Sequence, residues 1–499
     1  MEKGTIMTDK ELLFRPWAEL KELQNRKLRD FVTTKLYPFS PYYREMFDRN
    51  GIKPDSIRTA EDLRRIPFTT KADLVKMSTE GKTRDLILQP SEELIKKFLP
   101  KGELLKVAAT KLFRGADYLK KSLEREYRPI FLTSTAGTTT GTPMPFLYTR
   151  YDLENLKFYG QRIVDIFGMK TDETAVNLFP YAPHLAFWQV FFAGTEAGVL
   201  ILSTGGGKTM GTEGNLKAIA KIKPRLLAGV PSYVYHLLKE ARAQNMDLSF
   251  VKKVVLGAAR APVGFKRKLA ALLTEMGASN VSVFGTYGFT EARTAWPECP
   301  TDIDVMSGYH TYPDREIFEV INPETGQPVG EGEDGEVVYS TIDSRGSALL
   351  RYRTGDYVKG GITYEPCPHC GRTVPRISSD LVRASNVKDL QISKVKGTLV
   401  NFNRLEFLLD GNSHVDEWQI EIAKKDNDPY EVDEISLYVS LLKDADPEEF
   451  KRQINKQVLA DTELTFNKVE VVSHKEIQKR IEIETSVKAR KIVDRRQAA

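Results

Sequence analysis

Apolar residues recur at helical spacing through the stretch Arg15–Asp48, where Leu20, Leu23, Leu28, Phe31 and Val32 share one face, so this segment is predicted helical. A second helical region, rich in lysine and leucine, is expected over Ser91–Glu126. From Phe131 onward short apolar runs alternate with amphipathic stretches. Strands are expected at Val199–Leu202, Leu226–Val230, Lys253–Leu256 and Val281–Phe284, with helices at Gly214–Lys223, Ser232–Ala243 and Gly264–Met276 between them. This alternation is the signature of an α/β layered fold. The most apolar stretch, Leu185–Leu202, is broken by Gln189, Thr195 and Glu196, which suits a buried helix followed by a strand better than a membrane span.

After Asp314 the period changes. Glu316–Ile321 and Gly335–Thr341 read as strands on either side of the turn Asn322–Gly326, so a β subdomain is expected. The tail changes again, with strands at Ile420–Ile422, Glu434–Leu441 and Lys468–Val472 and a helix at Pro447–Val458. A small α+β domain at 383–499 behind a large domain at 1–382 is the expected division.

Composition narrows the function classes. A charge of +5 over 499 residues is mild, no basic block accompanies it, and no nucleic-acid partner is expected. The N-terminal segment has no apolar secretory core, so a cytoplasmic protein, monomer or homodimer, without membrane association is expected. The three cysteines include the pair Cys367-Pro-His-Cys370, with Cys299 far upstream. An odd count and a C-x₂-C bite favour metal ligation over disulfides.

Chemistry concentrates in four segments. Ser134–Pro143 (S-T-A-G-T-T-T-G-T-P) combines glycines that can turn amides toward an anion with hydroxyl donors, which suits a phosphate or, alternatively, a threonine-rich turn. Gly257-Ala-Ala-Arg-Ala-Pro262 follows a strand and could lay backbone against a flat base. Tyr287-Gly-Phe-Thr-Glu291 lies at the carboxyl end of a strand, where ligands of open α/β sheets gather. Arg353-Thr-Gly-Asp356 offers a carboxylate on an expected tight turn, suited to two ribose hydroxyls.

In this order and spacing the four segments resemble the adenylate-forming acyl-CoA synthetase superfamily, and within it the phenylacetate–CoA ligase branch. Ser40-Pro-Tyr-Tyr-Arg-Glu-Met-Phe47, Ile66-Pro-Phe-Thr-Thr-Lys71, Lys223–Ser232, Cys367–Arg376 and Val487–Arg496 extend the resemblance over nearly the whole chain, apart from an expanded segment around 77–128. It implies that Ser134, Thr135, Gly137, Thr138, Thr139, Thr140 and Gly141 wrap the ATP phosphates. Tyr287 and Gly288, with Thr290 beside them, would hold adenine against Ala258 and Ala259, and Asp356 would hold the ribose. Glu291 would hold Mg²⁺, and Arg376 or Arg383 would fill an arginine role near the hinge. Thr138, Glu291 and Lys488 are the implied catalytic residues, Lys488 bridging carboxylate and α-phosphate. Its alternative is a solvated lysine in a basic tail.

The implied reaction joins a carboxylic acid to coenzyme A through an acyl-adenylate and AMP, the small domain exchanging Lys488 for the Lys396-Gly397 region between halves. Acyl transfer to a carrier-protein thiol or an amine, and a zinc-braced nucleotide-binding protein without turnover, are the alternatives. The acid would lie among Tyr181, His184, Phe187, Trp188, Tyr233, Phe284 and Gly285, whose rings suit an aryl or arylacetic acid but are also ordinary core residues. His184 could orient a carboxylate or cap a turn. Cys299, His310, Cys367 and Cys370 would form a closed structural Zn²⁺ site, with His369 the rival for His310. Gly205-Gly-Gly-Lys-Thr209 imitates a triphosphate loop, but Leu202 stands where the first glycine is required. Two departures from the family pattern are one extra threonine in the phosphate loop and Met144 in place of a lysine or threonine. The hinge is also lengthened by Ser385–Lys388.

Overall fold

The computed structural model describes residues 9–135, 143–383, 394–395, 398–399, 402–424, 433–442, 445–462, 465–483 and 489–495. The expected phosphate-loop residues Gly137, Thr138, Thr139, Thr140 and Gly141, together with Lys396, Gly397 and Lys488, lie outside the described residues.

Helices fill the chain before the first strand, including Trp17–Phe31, Pro41–Arg49, Lys101–Arg114 and Ala116–Tyr127. Strands β1 (Pro129–Ser134) and β2 (Pro145–Thr149) then pair antiparallel, with Ser134 opposite Pro145, so the phosphate-loop segment joins two strands of one hairpin. The main sheet contains β3 (Thr174–Asn177), β4 (Leu200–Ser203), β5 (Leu226–Gly229), β6 (Lys253–Leu256), β7 (Ser282–Phe289) and β8 (Thr294–Pro297), in the order β4-β3-β5-β6-β7-β8. β3 to β7 pair parallel, and β8 closes the edge antiparallel to β7.

Successive residues of each strand enter different cores, as the pleat requires. Ala175, Ala228, Val255 and Phe284 pack toward one side with Phe167 and Phe187, whereas Val176, Leu227, Val254 and Val283 pack toward the other. The helix Arg150–Ile166 supplies Tyr159 and Ile163 to the first core, and Pro231–Ala243 and Val263–Glu275 supply Val234, Leu238, Leu269 and Leu273 to the second. With both faces covered, these parallel strands carry few polar positions. The helix expected at the start of Leu185–Leu202 is Leu185–Ala197, and β4 follows it. Among the described residues no helix is long and apolar enough to cross a membrane.

Beyond the sheet lie β9 (Tyr309–His310), β10 (Glu316–Ile321), β11 (Gly335–Thr341), β12 (Tyr352–Lys359), β13 (Ile362–Thr363), β14 (Arg376–Ile377) and β15 (Asp380–Arg383). They form a four-stranded antiparallel sheet, β10-β11-β12-β15, and a three-stranded one, β13-β14-β9. The expected tight turn at Arg353–Asp356 is corrected here: it lies inside β12, where the register slips against Glu336–Val338 and Gly355 takes φ +70°. A bulge with a left-handed glycine has the composition of a turn, which explains the difference.

The last region begins with the short pair β16 (Lys394–Val395) and β17 (Thr398–Leu399), then the helix Phe402–Gly411. β18 (Val415–Lys424), β19 (Asp433–Leu441), β20 (Lys468–Val471) and β21 (Ile492–Asp494) form a sheet in the order β20-β19-β18-β21. Trp418, Ile420, Leu437, Val439 and Ile454 give this C-terminal unit a core of its own.

Candidate active site

The parallel part of the sheet ends at Gly229, Leu256 and Gly285, and a cavity of about 1170 Å³ opens there. Thr135, Gly257, Ala258, Ala259, Tyr287, Gly288, Thr290, Glu291 and Asp356 all line it, so the four segments that stand apart in sequence meet at one cavity. Two hydrogen bonds fix the carboxylates. The Tyr287 hydroxyl donates to Asp356 Oδ2 at 2.8 Å, and the Tyr352 hydroxyl donates to Glu291 Oε1 at 3.0 Å. Tyr287 is itself wedged against Trp296 and Tyr309, with centroids 5.4 and 5.7 Å away. Ala258 holds φ +65°, a left-handed backbone rare for alanine, at the start of the Gly257–Pro262 segment. Gly257 is required by space, because a Cβ there would meet Thr286 Oγ1 at 2.5 Å.

The base of the phosphate-loop segment is tied down on both sides. Thr135 N–H donates to the Met144 carbonyl, and Met144 N–H returns a bond to Thr135 Oγ1, each at 3.0 Å. His184 Nδ1 lies 3.0 Å from the Ser134 carbonyl and its ring lines the cavity, so it braces the loop base rather than capping the following helix. Met144 is buried.

Of the expected acid-binding residues, His184, Phe187 and Gly285 line the cavity. Tyr181, Trp188, Tyr233 and Phe284 are placed elsewhere. Tyr181 is 61% exposed, Trp188 packs on Phe131 and Phe192, the Tyr233 hydroxyl accepts from Asn215, and Phe284 stands behind the wall against Phe167. Ile163, Phe167, Met169, Val199 and Leu226 add apolar lining to the cavity. At the hinge side, Arg376 donates to the carbonyls of Ser307 and Glu365 and does not line the cavity. Arg383 sits in β15 directly opposite Asp356 of β12.

Several charged wall residues were not anticipated. Lys266 Nζ donates to Glu298 Oε2 at 2.8 Å, and Glu298 also accepts from Gly285 N–H and the Ser379 hydroxyl, each at 2.5 Å. Lys266 follows the buried phase of Leu269 and Leu273 along its helix, a signal visible in sequence. Glu406, from the C-terminal unit, reaches the same cavity, and burial pushes its carboxyl up to about 7. Arg260, paired with Asp380 at 2.7 Å, stands beside it.

A second cluster lies behind β9. Cys299, His310, Cys367 and Cys370 offer ligand atoms within 4.8 Å of one another. Cys299 Sγ and Cys367 Sγ are 3.8 Å apart, the edge of a tetrahedron with thiolate bonds of about 2.3 Å. His310 Nδ1 lies 3.2 Å from the Pro297 carbonyl and Nε2 lies 3.3 Å from Cys370 Sγ, so the outer nitrogen is engaged and the inner one faces the thiols. His369 is exposed and stands outside the cluster.

The family profile described as AMP-binding enzyme matches residues 72–343. The phenylacetate–coenzyme A ligase of Thermus thermophilus is 27% identical over 91% of this chain and 88% of its own length. The Escherichia coli K12 enzyme of the same name is 24% identical over 82% of this chain and 83% of its own. In fold, the chain resembles a 2-hydroxyisobutyryl-CoA ligase solved in its postadenylation state with an acyl-AMP, at TM-score 0.73 and 18% identity, covering 98% of this chain and 92% of that one. The same ligase solved with coenzyme A in its thioesterification state aligns at TM-score 0.60. With the profile covering more than half of the sequence, the chain belongs to the AMP-binding enzyme family.

Proposed function

We infer that this chain is an AMP-forming acid–CoA ligase, and the observation that carries the reading is the single cavity shared by Thr135, Ala258, Tyr287, Glu291 and Asp356. The chain activates a carboxylic acid with ATP, the carboxylate oxygen displacing pyrophosphate from the α-phosphorus. The thiol of coenzyme A then attacks the acyl carbon and AMP leaves. Asp356, oriented by Tyr287, accepts hydrogen bonds from the ribose hydroxyls, and the adenine lies between Tyr287 and the Ala258–Ala259 backbone. The loop 134–143 encloses the β- and γ-phosphates, with His184 holding its base in place. Glu291 fits Mg²⁺, a hard cation that supplies charge against the triphosphate and takes carboxylate oxygen. Arg383, opposite Asp356 in the adjoining strand, fills the hinge-side role in preference to Arg376, whose guanidinium is engaged with two carbonyls.

The division into a large unit to residue 382 and a small one from 383 belongs to the same reading, and it is supported by the separate core around Trp418. Lys488 serves the first half-reaction and the Lys396-Gly397 region the second. The acid is aryl or arylacetic, a reading supported by Phe167 and Phe187 among the apolar lining of Ile163, Met169 and Val199. A closed Zn²⁺ site at Cys299, His310, Cys367 and Cys370 braces the β subdomain, because all four positions are protein ligands and none is left for substrate.

The test is acid-dependent pyrophosphate exchange over a panel of aryl, arylacetic and aliphatic acids, followed by product analysis with coenzyme A. Exchange with an arylacetic acid and its conversion to a thioester is expected. Exchange without thioester would transfer the reading to a carrier-protein or amine acceptor, and no exchange with any acid would leave only nucleotide binding.

A further inference from the structure

Away from the cavity, the structure brings two histidines from distant parts of the chain to one point. His236 lies on the helix Pro231–Ala243, and His474 opens the helix His474–Arg480 of the C-terminal unit. Gln478 Nε2 sits 2.6 Å from His236 Nδ1 and also contacts His474 Nε2. The other ring nitrogens are engaged elsewhere: His236 Nε2 lies 3.0 Å from Thr212 Oγ1, and His474 Nδ1 lies 2.7 Å from Asp416 Oδ2. A carboxylate accepts only, so the Nδ1–H of His474 points at Asp416 and its Nε2 carries the lone pair. The Gln478 amide nitrogen only donates, so His236 Nδ1 accepts from it, the proton of that ring sits on Nε2 toward Thr212, and both lone pairs converge on the Gln478 amide. Glu240 follows His236 by one helical turn, and ligand atoms of the three residues lie within 4.8 Å of one another.

Two imidazoles and a carboxylate form the donor set preferred by zinc and its neighbours. The support around it is also present. Asp416 is buried and held by Tyr235, Lys239 and Ser440 at 2.9, 2.5 and 2.6 Å, so it fixes the His474 ring as carboxylates fix metal-bound histidines. The Lys239 ammonium lies 2.9 Å from Nδ1, on the side of the ring away from the lone pair, where the Asp416 charge offsets it.

We propose that His236, Glu240 and His474 form a second divalent-metal site, for Zn²⁺ or a cation of similar preference, that joins the Pro231–Ala243 helix to the C-terminal unit. Gln478 holds the position in the metal-free chain and yields it to the cation. Because the ligands belong to two units, the bound ion ties them together. Resting on the two-step reading above, it slows thioester formation, which needs the C-terminal unit to move, and leaves adenylation intact.

Zinc chloride binding to the full chain, stripped with chelator, is measured by equilibrium dialysis for the unsubstituted protein, His236→Ala, His474→Ala and Gln478→Ala. The unsubstituted protein and Gln478→Ala are expected to bind one more equivalent than either histidine variant. Gln478→Ala removes the Gln478–His236 bond between the two units without removing a metal ligand, so it separates ligation from loss of that contact. Equal stoichiometry in all four, or loss in Gln478→Ala as well, would overturn the site. The difference between variants is read rather than the total, so a failure of the cysteine site moves all four alike. Zinc filling the extra position should slow CoA-dependent thioester formation several-fold in the unsubstituted protein and not in His474→Ala, with pyrophosphate exchange unchanged. Equal slowing in both would overturn the coupling, whereas absence of exchange altogether would count against the ligase reading and leave the binding result standing.

Discussion

The hydroxyl of Tyr287 donates to Asp356 Oδ2 at 2.8 Å, joining the main sheet to the antiparallel sheet in the lining of the cavity. The two residues are distant in sequence, and the bond orients one oxygen of the carboxylate proposed to hold the ribose.

Removing that carboxylate should therefore cost more than removing the hydroxyl that aims it. A hydrogen bond to a charged group is worth about 1.5–3 kcal/mol, or roughly 10- to 150-fold in affinity. Asp356→Ala should raise the KM for ATP within that range, and Tyr287→Phe should raise it less, with the KM for the acid nearly unchanged in both. Pyrophosphate-exchange kinetics at varied ATP check this. An unchanged KM for ATP in Asp356→Ala would remove the ribose assignment.

Lys488 is assigned to the first half-reaction only. A positioned charge lost from a transition state costs on the order of 10²–10³ in rate. Lys488→Ala should lose pyrophosphate exchange by about that factor and still convert a supplied acyl-adenylate to thioester. Stopped-time assays of each half separate the two, and equal loss in both halves would refute the assignment.

The cysteine cluster predicts a dependence on metal. Cys367→Ser should lose about one equivalent of zinc per chain and melt at lower temperature, because a structural site contributes its binding energy to the folded state. His369→Ala should retain the metal, since His310 and not His369 faces the thiols. Metal analysis together with thermal melts decides, and full retention in Cys367→Ser would exclude the site.

Much of this arrangement was legible in the sequence for a physical reason. Strands such as Leu226–Gly229 and Lys253–Leu256 are buried on both faces, so they read as short continuous apolar runs between amphipathic helices. The wall residues Tyr287, Glu291 and Asp356 were readable because each lies in a local motif. The acid pocket was not, since rings at helical spacing look alike whether they face a cavity, as Phe187 does, or pack on one another, as Trp188 and Phe192 do. The Lys266–Glu298 pair depends on strand order, and the helix phase of Lys266 shows its burial but not its partner. Glu406 reaches the cavity through the placement of a whole unit, which no local pattern encodes.

A final prediction concerns stability. Glu316, at the start of β10, is wholly enclosed, and burial pushes its carboxyl from an ordinary value of 4.5 up to about 8, with the nearby Asp314 adding to the rise. The Tyr312 N–H, the Trp296 indole N–H and the Arg162 charge oppose the shift without cancelling it. Below pH 4.5 the folded and unfolded chains both hold this proton, and it makes no difference to folding. Between 4.5 and about 8 the unfolded chain has released it while the folded chain retains it. The folded state then binds more protons, so stability contributed by this group falls as pH rises through that window and levels off above it. Glu316→Gln keeps an acceptor for Trp296 and Tyr312 but cannot ionise. Its melting temperature should therefore fall less than that of the unsubstituted protein between pH 6 and pH 9, by a few degrees. Parallel melting curves at both pH values would show that the proton at Glu316 does not govern the slope.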